Sequence, residues 1–188
     1  GAGTMMDPEA GTMMEPIDDE RVGYNLCGLG ATEPRALGSI DDPIIAPYSP
    51  FLDRNDTSTA SQDLYRNYDC APDRREYGRE VVYQFTIPQA GYFRAEVVDP
   101  QGVDIDLHLL QNPTVNADGL VTGRLDRDDR IIESPQLAAG TYYLVADSWT
   151  NASGYEYEGS YTVAFEWLPY EQWTEAPLSP GVTLKRRL

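Results

Sequence analysis

Large apolar side chains alternate with polar ones along several short segments, and this period of two constrains the fold more than any other feature. In VVYQFTI, Val81, Tyr83, Phe85 and Ile87 fall on one face, and YFRAEVV, DIDLHLL and SYTVAFEW repeat the pattern. Successive side chains of a β-strand point to opposite faces, and no stretch longer than a few residues has the helical period. The pattern predicts an all-β fold, an antiparallel β-sandwich of six or seven short strands.

Polar and turn-forming stretches separate these segments. PIIAPYS (43–49) predicts a first short strand, and RIIES and TYYLVAD predict two more in the second half of the chain. The run DRNDTSTASQ (53–62) predicts a long loop, because Asp, Asn and Ser favour turns. A second polar stretch (111–130) is expected to separate two strands.

The composition divides the chain into three parts. Residues 1–38 are a Met-, Pro- and Gly-rich segment with a near-repeat, AGTMMDPE followed by AGTMMEPI, that contains all four methionines. This composition predicts a flexible tether, although paired methionines also suit an apolar groove on a neighbouring subunit. Residues 39–168 form the sandwich domain. Residues 169–188 are expected to be an extended strap or the start of a further domain.

The charge of the chain limits its partners. With 31 acidic and 14 basic side chains the formal net charge is −17, which repels nucleic acid and anionic lipid. No apolar run reaches the roughly 18 residues that a membrane span needs. A start at Gly1 is the one expected of a processed secreted protein. These features predict a secreted or cell-surface protein with no nucleic-acid partner and no membrane span.

Cys27 and Cys70 are the only cysteines. They form no CxxC pair, and one histidine cannot complete a zinc site with them. A single disulfide in an oxidising compartment is the expected arrangement. Two separate buried thiols are the alternative.

Six segments together resemble the bacterial pre-peptidase C-terminal domain family. They are NDTSTASQDLYRNYDC, REVVYQFTIPQAGYF, DIDLHLL, GRLDRDDRII, LAAGTYYLVADSW and GSYTVAFEW, in that order between residues 53 and 167. The resemblance implies a jelly-roll-like sandwich, secretion, and attachment to hydrolases as a non-catalytic module. The collagen-binding domains of secreted bacterial collagenases are similar to this family and bind calcium.

Acidic side chains from one strand and one turn suggest a calcium site. Calcium takes six to eight oxygen ligands in irregular geometry, and the family resemblance favours this metal. The alternative is the solvated polar face that a sandwich strand usually presents. The predicted ligands are Asp104, Asp106, Asp126, Asp128 and Asp129.

Aromatic side chains in the loop SWTNASGYEYEG suggest a binding surface. Trp149, Tyr155 and Tyr157 lie within nine residues of one another. Aromatic rings in loops stack on sugars or anchor a protein partner, and the alternative is that they cap the open end of the sandwich.

Little in the sequence indicates an enzyme. His108 is the only histidine and lies in the middle of a predicted strand, and no GxSxG elbow is present. The expected function is that of a non-catalytic accessory module that binds a protein or a polysaccharide and is stabilised by calcium. The alternative is a structural subunit of an extracellular assembly, in which the two terminal segments contact copies of the same chain.

Overall fold

Two β-sheets pack face to face and confirm the predicted all-β sandwich. The structure is a computed structural model that describes residues 36–69, 72–169, 173–175 and 185–187. The described strands, in chain order, are β1 Ile44–Ala46, β2 Phe51–Asp56, β3 Asn67–Tyr68, β4 Glu80–Ile87, β5 Gly91–Val98, β6 Ile105–Val115, β7 Leu120–Asp128, β8 Ile131–Leu137, β9 Gly140–Ser148, β10 Ser160–Pro169, β11 Trp173–Glu175 and β12 Lys185–Arg187.

One sheet has six strands in the order β1-β4-β9-β6-β7-β3, and the other has four in the order β2-β10-β5-β8. Most neighbours are antiparallel, while β1 joins β4 and β3 joins β7 in parallel. A short 3-10 helix, Thr57–Thr59, follows β2. Strands β11 and β12 form a separate antiparallel pair.

The core between the two sheets consists of the residues that the alternating pattern placed on one face. Val81, Tyr83, Phe85 and Ile87 of β4 are all buried there. Aromatic rings dominate the contact, and the Phe85 ring lies 4.9 Å from that of Phe93 and 5.4 Å from that of Phe165 across the layers. Such ring pairs add to the free energy of simple area burial. This contact holds the two sheets together.

The outer face of the six-stranded sheet is also covered. A second buried cluster, away from the main core, contains Tyr65 and Tyr68 from the segment before β4 together with Val82, Leu110, Val121 and Val145. The middle strands β9 and β6 therefore lie in the interior on both faces, as strands of a buried sheet do. As a result, polar side chains on the outer face of β6 are enclosed instead of solvated.

Two of the predicted irregular stretches are strands. Residues 53–56, expected in a loop, continue β2, which pairs with β10 along the edge of the four-stranded sheet. The stretch 111–130 contains the end of β6 and all of β7. Both were missed because backbone hydrogen bonds hold strands whatever their side chains are, and the side chains of these two strands lack a clear apolar alternation.

Several predictions fall on other parts of the chain. The Met-rich repeat and both cysteines lie outside the described residues, so the disulfide stays a prediction. In the described residues no helix is long and apolar enough to cross a membrane.

We expect Phe85→Ala to lower the free energy of unfolding by about 3–5 kcal/mol, because it opens a cavity between the sheets. Urea denaturation of the purified protein measures the change. Val98→Ala is the control, since Val98 is 58% exposed and its truncation should change stability by less than about 0.5 kcal/mol. Equal losses in the two variants would contradict the assignment of Phe85 to the core.

Candidate functional site

Charged side chains are buried together on the outer face of the six-stranded sheet. β6 contributes Asp106 and His108, β9 contributes Asp147 and β4 contributes Glu80. The strand register brings them together, because Asp147 lies opposite both Asp106 and Glu80. All four side chains are at most 2% exposed. We call these four residues, with Glu76 and Arg127, the polar cluster.

Glu76 reaches the polar cluster from the segment before β4. Its backbone N–H donates to Arg66 O, and the preceding residue, Arg75, accepts from Thr150 N–H at 2.9 Å. The backbone on either side of Glu76 is thus tied to the protein, and its side chain is fully buried.

Arg127 is the cation of the polar cluster. β7 places it opposite His108. Its Nη2 contacts the Asp106 Oδ2, lies 3.3 Å from the Glu76 Oε1, and lies 3.2 Å from the exposed Asp129. One guanidinium group therefore serves two buried carboxyl groups.

The imidazole ring of His108 is enclosed by described residues and receives no hydrogen bond from them. Its ring stacks on that of Tyr68, with centroids 3.6 Å apart and planes within 7°. Neither ring nitrogen has a hydrogen-bond partner among the described residues, and the Nε2 lies 3.9 Å from the Glu76 Oε1, beyond hydrogen-bond range. Burial, together with the charge of Arg127, holds the pKa of His108 well below its ordinary value. The imidazole is therefore neutral.

The remaining two carboxyl groups differ in their partners. Glu80 accepts from Gln62 Nε2 at 2.6 Å and from the backbone N–H groups of Leu64 and Tyr65. Asp147 accepts from Tyr68 Oη at 2.7 Å, whereas its second oxygen has no partner in the described part of the chain. Both oxygens of Glu80 thus accept hydrogen bonds, whereas only one oxygen of Asp147 does so among the described residues.

Burial and mutual repulsion favour the protonated forms of these acids. Burial, followed by the charge of Glu76, raises the pKa of Asp106 to about 9. Burial likewise raises the pKa of Glu76 and raises that of Asp147 well above its ordinary value. At neutral pH the polar cluster retains protons that the same residues would release in water.

The structure divides the five predicted calcium ligands between two faces of β7. Asp126 and Asp128 lie opposite Leu109 and Leu107, on the side of the main core. Asp126 accepts from Ser134 Oγ of β8, and Asp128 caps the following turn by accepting from Arg130 and Ile131 N–H groups. These backbone bonds lower the pKa of Asp128.

The other three predicted ligands lie on the side of Arg127. Asp106 and Asp129 both contact its guanidinium. Asp104 is half-buried, and its pKa is raised by burial and then by the charges of Asp99 and Asp129. Asp106 and Asp129 therefore meet at Arg127, and Asp126 and Asp128 do not join them.

Trp149, Tyr155 and Tyr157 do come together. The Tyr157 ring lies 5.3 Å from that of Trp149 and meets the Tyr155 ring edge to face at 4.8 Å. Tyr155 is 59% exposed, and the other two are partly buried. We call these three residues the aromatic loop set.

Asn151 organises the aromatic loop set. Its Oδ1 accepts from the N–H groups of Ser153 and Tyr155, and its Nδ2 lies 3.3 Å from Tyr157 Oη. Backbone bonds join Tyr157 to Trp149 O and to Asp104 N–H. The exposed ring is therefore held on an ordered loop.

Sequence reasoning missed four members of the polar cluster. Glu76 and Arg127 lie in charged stretches with no distinguishing pattern, and Glu80 begins a strand. Asp147 had a detectable signal, since it is an acid at the end of the apolar run YYLVA. A buried charge in such a run requires a partner.

Comparisons with known proteins give solved structures only. No family model and no curated protein match the chain. The pre-peptidase C-terminal domain of collagenase from Bacillus anthracis matches with a TM-score of 0.39 and 15% identity, over 65% of this chain and 92% of that one. PliG of Aeromonas hydrophila, a periplasmic inhibitor of g-type lysozyme, matches with a TM-score of 0.37 and 8% identity, over 66% and 97%. The family that the sequence resembles is thus represented among these structures, and at these values neither match assigns a ligand to this chain.

We expect Asp106→Asn to stabilise the chelator-treated protein at pH 8 and to leave it nearly unchanged at pH 4. Between the ordinary pKa of 3.8 and about 9 the native Asp106 keeps a proton that the unfolded chain has released. The free energy of unfolding of the wild type therefore falls with rising pH, by at most about 1.4 kcal/mol per pH unit. Asp106→Asn has no titrating group at this position, so it does not lose this free energy. Urea denaturation at pH 4, 6 and 8 measures it.

Asp128→Asn is the matched control with the opposite sign. Its native pKa is lowered, so its contribution is present above the ordinary value and lost as the pH falls. The control should therefore be destabilised at pH 8. If Asp106→Asn instead lost stability at pH 8, Asp106 would be ionised and held by Arg127.

Proposed function

We propose that this chain is a non-catalytic binding module of a secreted or cell-surface protein, and that the aromatic loop set is its binding surface. The observation that carries the proposal is the ordered presentation of Tyr155. Its ring is mostly exposed, while Asn151 and Tyr157 hold the loop beneath it. A ring that is fixed before binding loses little conformational entropy on contact.

The chemistry of the loop fits a polysaccharide or protein surface. An exposed tyrosine ring offers an apolar face for the C–H groups of a sugar or for an apolar side chain, and its hydroxyl bonds to polar groups. Glu156 and Glu158 lie in the same loop, and burial together with the neighbouring Glu158 charge raises the pKa of Glu156. These groups add hydrogen-bonding carboxyl groups to the loop.

The position of His108 supports a non-catalytic role. It is the only histidine of the chain, and it is fully buried under Tyr68. A general base must come within hydrogen-bond reach of the substrate, and an enclosed imidazole does not.

We expect Tyr155→Ala to weaken binding at least tenfold while the melting temperature changes little, because the ring is exposed. Pull-down with chitin, cellulose and fibrillar collagen, followed by titration on the probe that retains the protein, measures this. Leu125→Ala is the matched control, since Leu125 is 48% exposed and lies on β7, outside the loop. Equal binding by wild type and Tyr155→Ala would refute the proposed surface, and retention by none of the three probes would remove its support.

Calcium stabilisation is a separate part of the proposal. The charges of Asp99 and Asp129 raise the pKa of Asp104 after burial does, and carboxylate oxygens are the ligands that calcium takes. Asp126 and Asp128 do not fit the same site, because they face the other side of β7. When bound, calcium would neutralise this repulsion.

We expect excess calcium to raise the melting temperature of wild type, since a ligand that prefers the folded state stabilises it. Asp129→Asn should reduce the rise, and Asp63→Asn, which changes an exposed acid elsewhere, should not. Differential scanning calorimetry with calcium and with chelator measures both. An identical midpoint in the two conditions would exclude a calcium site.

A further inference from the structure

We propose that Glu76, Asp106 and His108 form a binding site for a divalent transition-metal cation such as zinc. One ligand atom from each of the three side chains lies within 4.8 Å of the other two, and all three are buried. This site is distinct from the aromatic loop set and from the oxygen-only group at Asp104 and Asp129.

Within the described part of the chain, these side chains present buried polar atoms that have no hydrogen-bond partner. The Glu76 Oε2 and both nitrogens of His108 have no hydrogen-bond partner within the described residues. Arg127 donates to the carboxyl groups of Glu76 and Asp106. Burying unpaired polar groups costs free energy, and a cation satisfies several acceptors at once.

Glu80 shows that an acid on the same face can be satisfied without a metal. Three donors, Gln62 Nε2 and two backbone N–H groups, surround it. In the described part of the chain, by contrast, the Glu76 Oε2, both His108 nitrogens and one oxygen of Asp147 have no donor.

The donor types select the class of metal. One imidazole with two carboxylates suits zinc, cobalt and manganese, while calcium prefers oxygen ligands alone. Zinc ligands lie about 2.1 Å from the metal, so tetrahedral donors are about 3.4 Å apart. The three ligand atoms, which lie within 4.8 Å of one another, therefore need to approach by about 1 Å when the metal binds.

The charges agree with an added cation. The polar cluster contains four buried carboxyl groups, Glu76, Glu80, Asp106 and Asp147, against the single charge of Arg127. His108 is neutral, which is the form that coordinates a metal. Binding would replace the protons held by Glu76 and Asp106 with a dication.

The test uses tag-free full-length protein stripped with chelator, so that His108 is the only imidazole. We expect one cobalt ion to bind per chain with visible d–d absorption, to be displaced by zinc, and to shift the single set of imidazole ¹⁵N resonances. Cys27→Ser/Cys70→Ser serves as the background for all variants, because thiolates also bind these metals.

His108→Phe keeps a ring to stack on Tyr68 and removes both nitrogens, and Glu76→Gln keeps the side-chain volume. Each should weaken cobalt binding at least tenfold, while Glu96→Gln on the four-stranded sheet should bind as wild type does. If His108→Phe does not fold, the cobalt affinity of Glu76→Gln and the imidazole resonances of His108 in the wild type test the site instead.

Two results would overturn the proposal. The first is no saturable binding of cobalt or zinc, which would make Glu76 and Asp106 a proton-sharing pair neutralised by Arg127. The second is binding that leaves the His108 resonances in place. The calcium response of the melting temperature is independent of His108, so its presence or absence does not affect this test.

Discussion

The aromatic contact between the two sheets is the interaction on which the other features depend. Phe85 from one sheet contacts Phe93 and Phe165 from the other, and Trp167, from the same strand as Phe165, also stacks on Phe85. With this face of β4, β9 and β6 fixed, their opposite side chains necessarily point outward. The position of Asp106, His108 and Asp147 therefore follows from the packing of their apolar neighbours along the strands.

The outer face would be an ordinary solvated surface if the sheet were uncovered. Tyr65, Tyr68 and Glu76 come from the segment that precedes β4 and enclose it. A second layer over a polar sheet face creates a low-dielectric compartment, in which each acid must find a donor, keep its proton or meet a cation. Glu80 has found donors, and the raised pKa of Asp147 favours its protonated form. Glu76 and Asp106 share the cation Arg127.

The sequence was sufficient for the sandwich and for the inward-facing residues, because alternation reports directly on a two-faced strand. It was insufficient for β2 and β7, whose backbone bonds are independent of side-chain type. The aromatic loop set was predictable because its three rings are near in sequence. The polar cluster was not, because Glu76, Asp106 and Arg127 meet only through the covering segment and the register of β6 with β7.

The hydrogen bonds of Asn151 have a consequence for how the protein is produced. Asn151-Ala152-Ser153 is an acceptor triplet for N-linked glycosylation. A glycan would be attached to the Asn151 Nδ2, the same atom that lies 3.3 Å from Tyr157 Oη. It would therefore lie on the loop that presents the exposed Tyr155. Material secreted by a yeast or insect-cell host and modified there would thus carry a masked aromatic face, and its intact mass would reveal this. Bacterial expression leaves that face open.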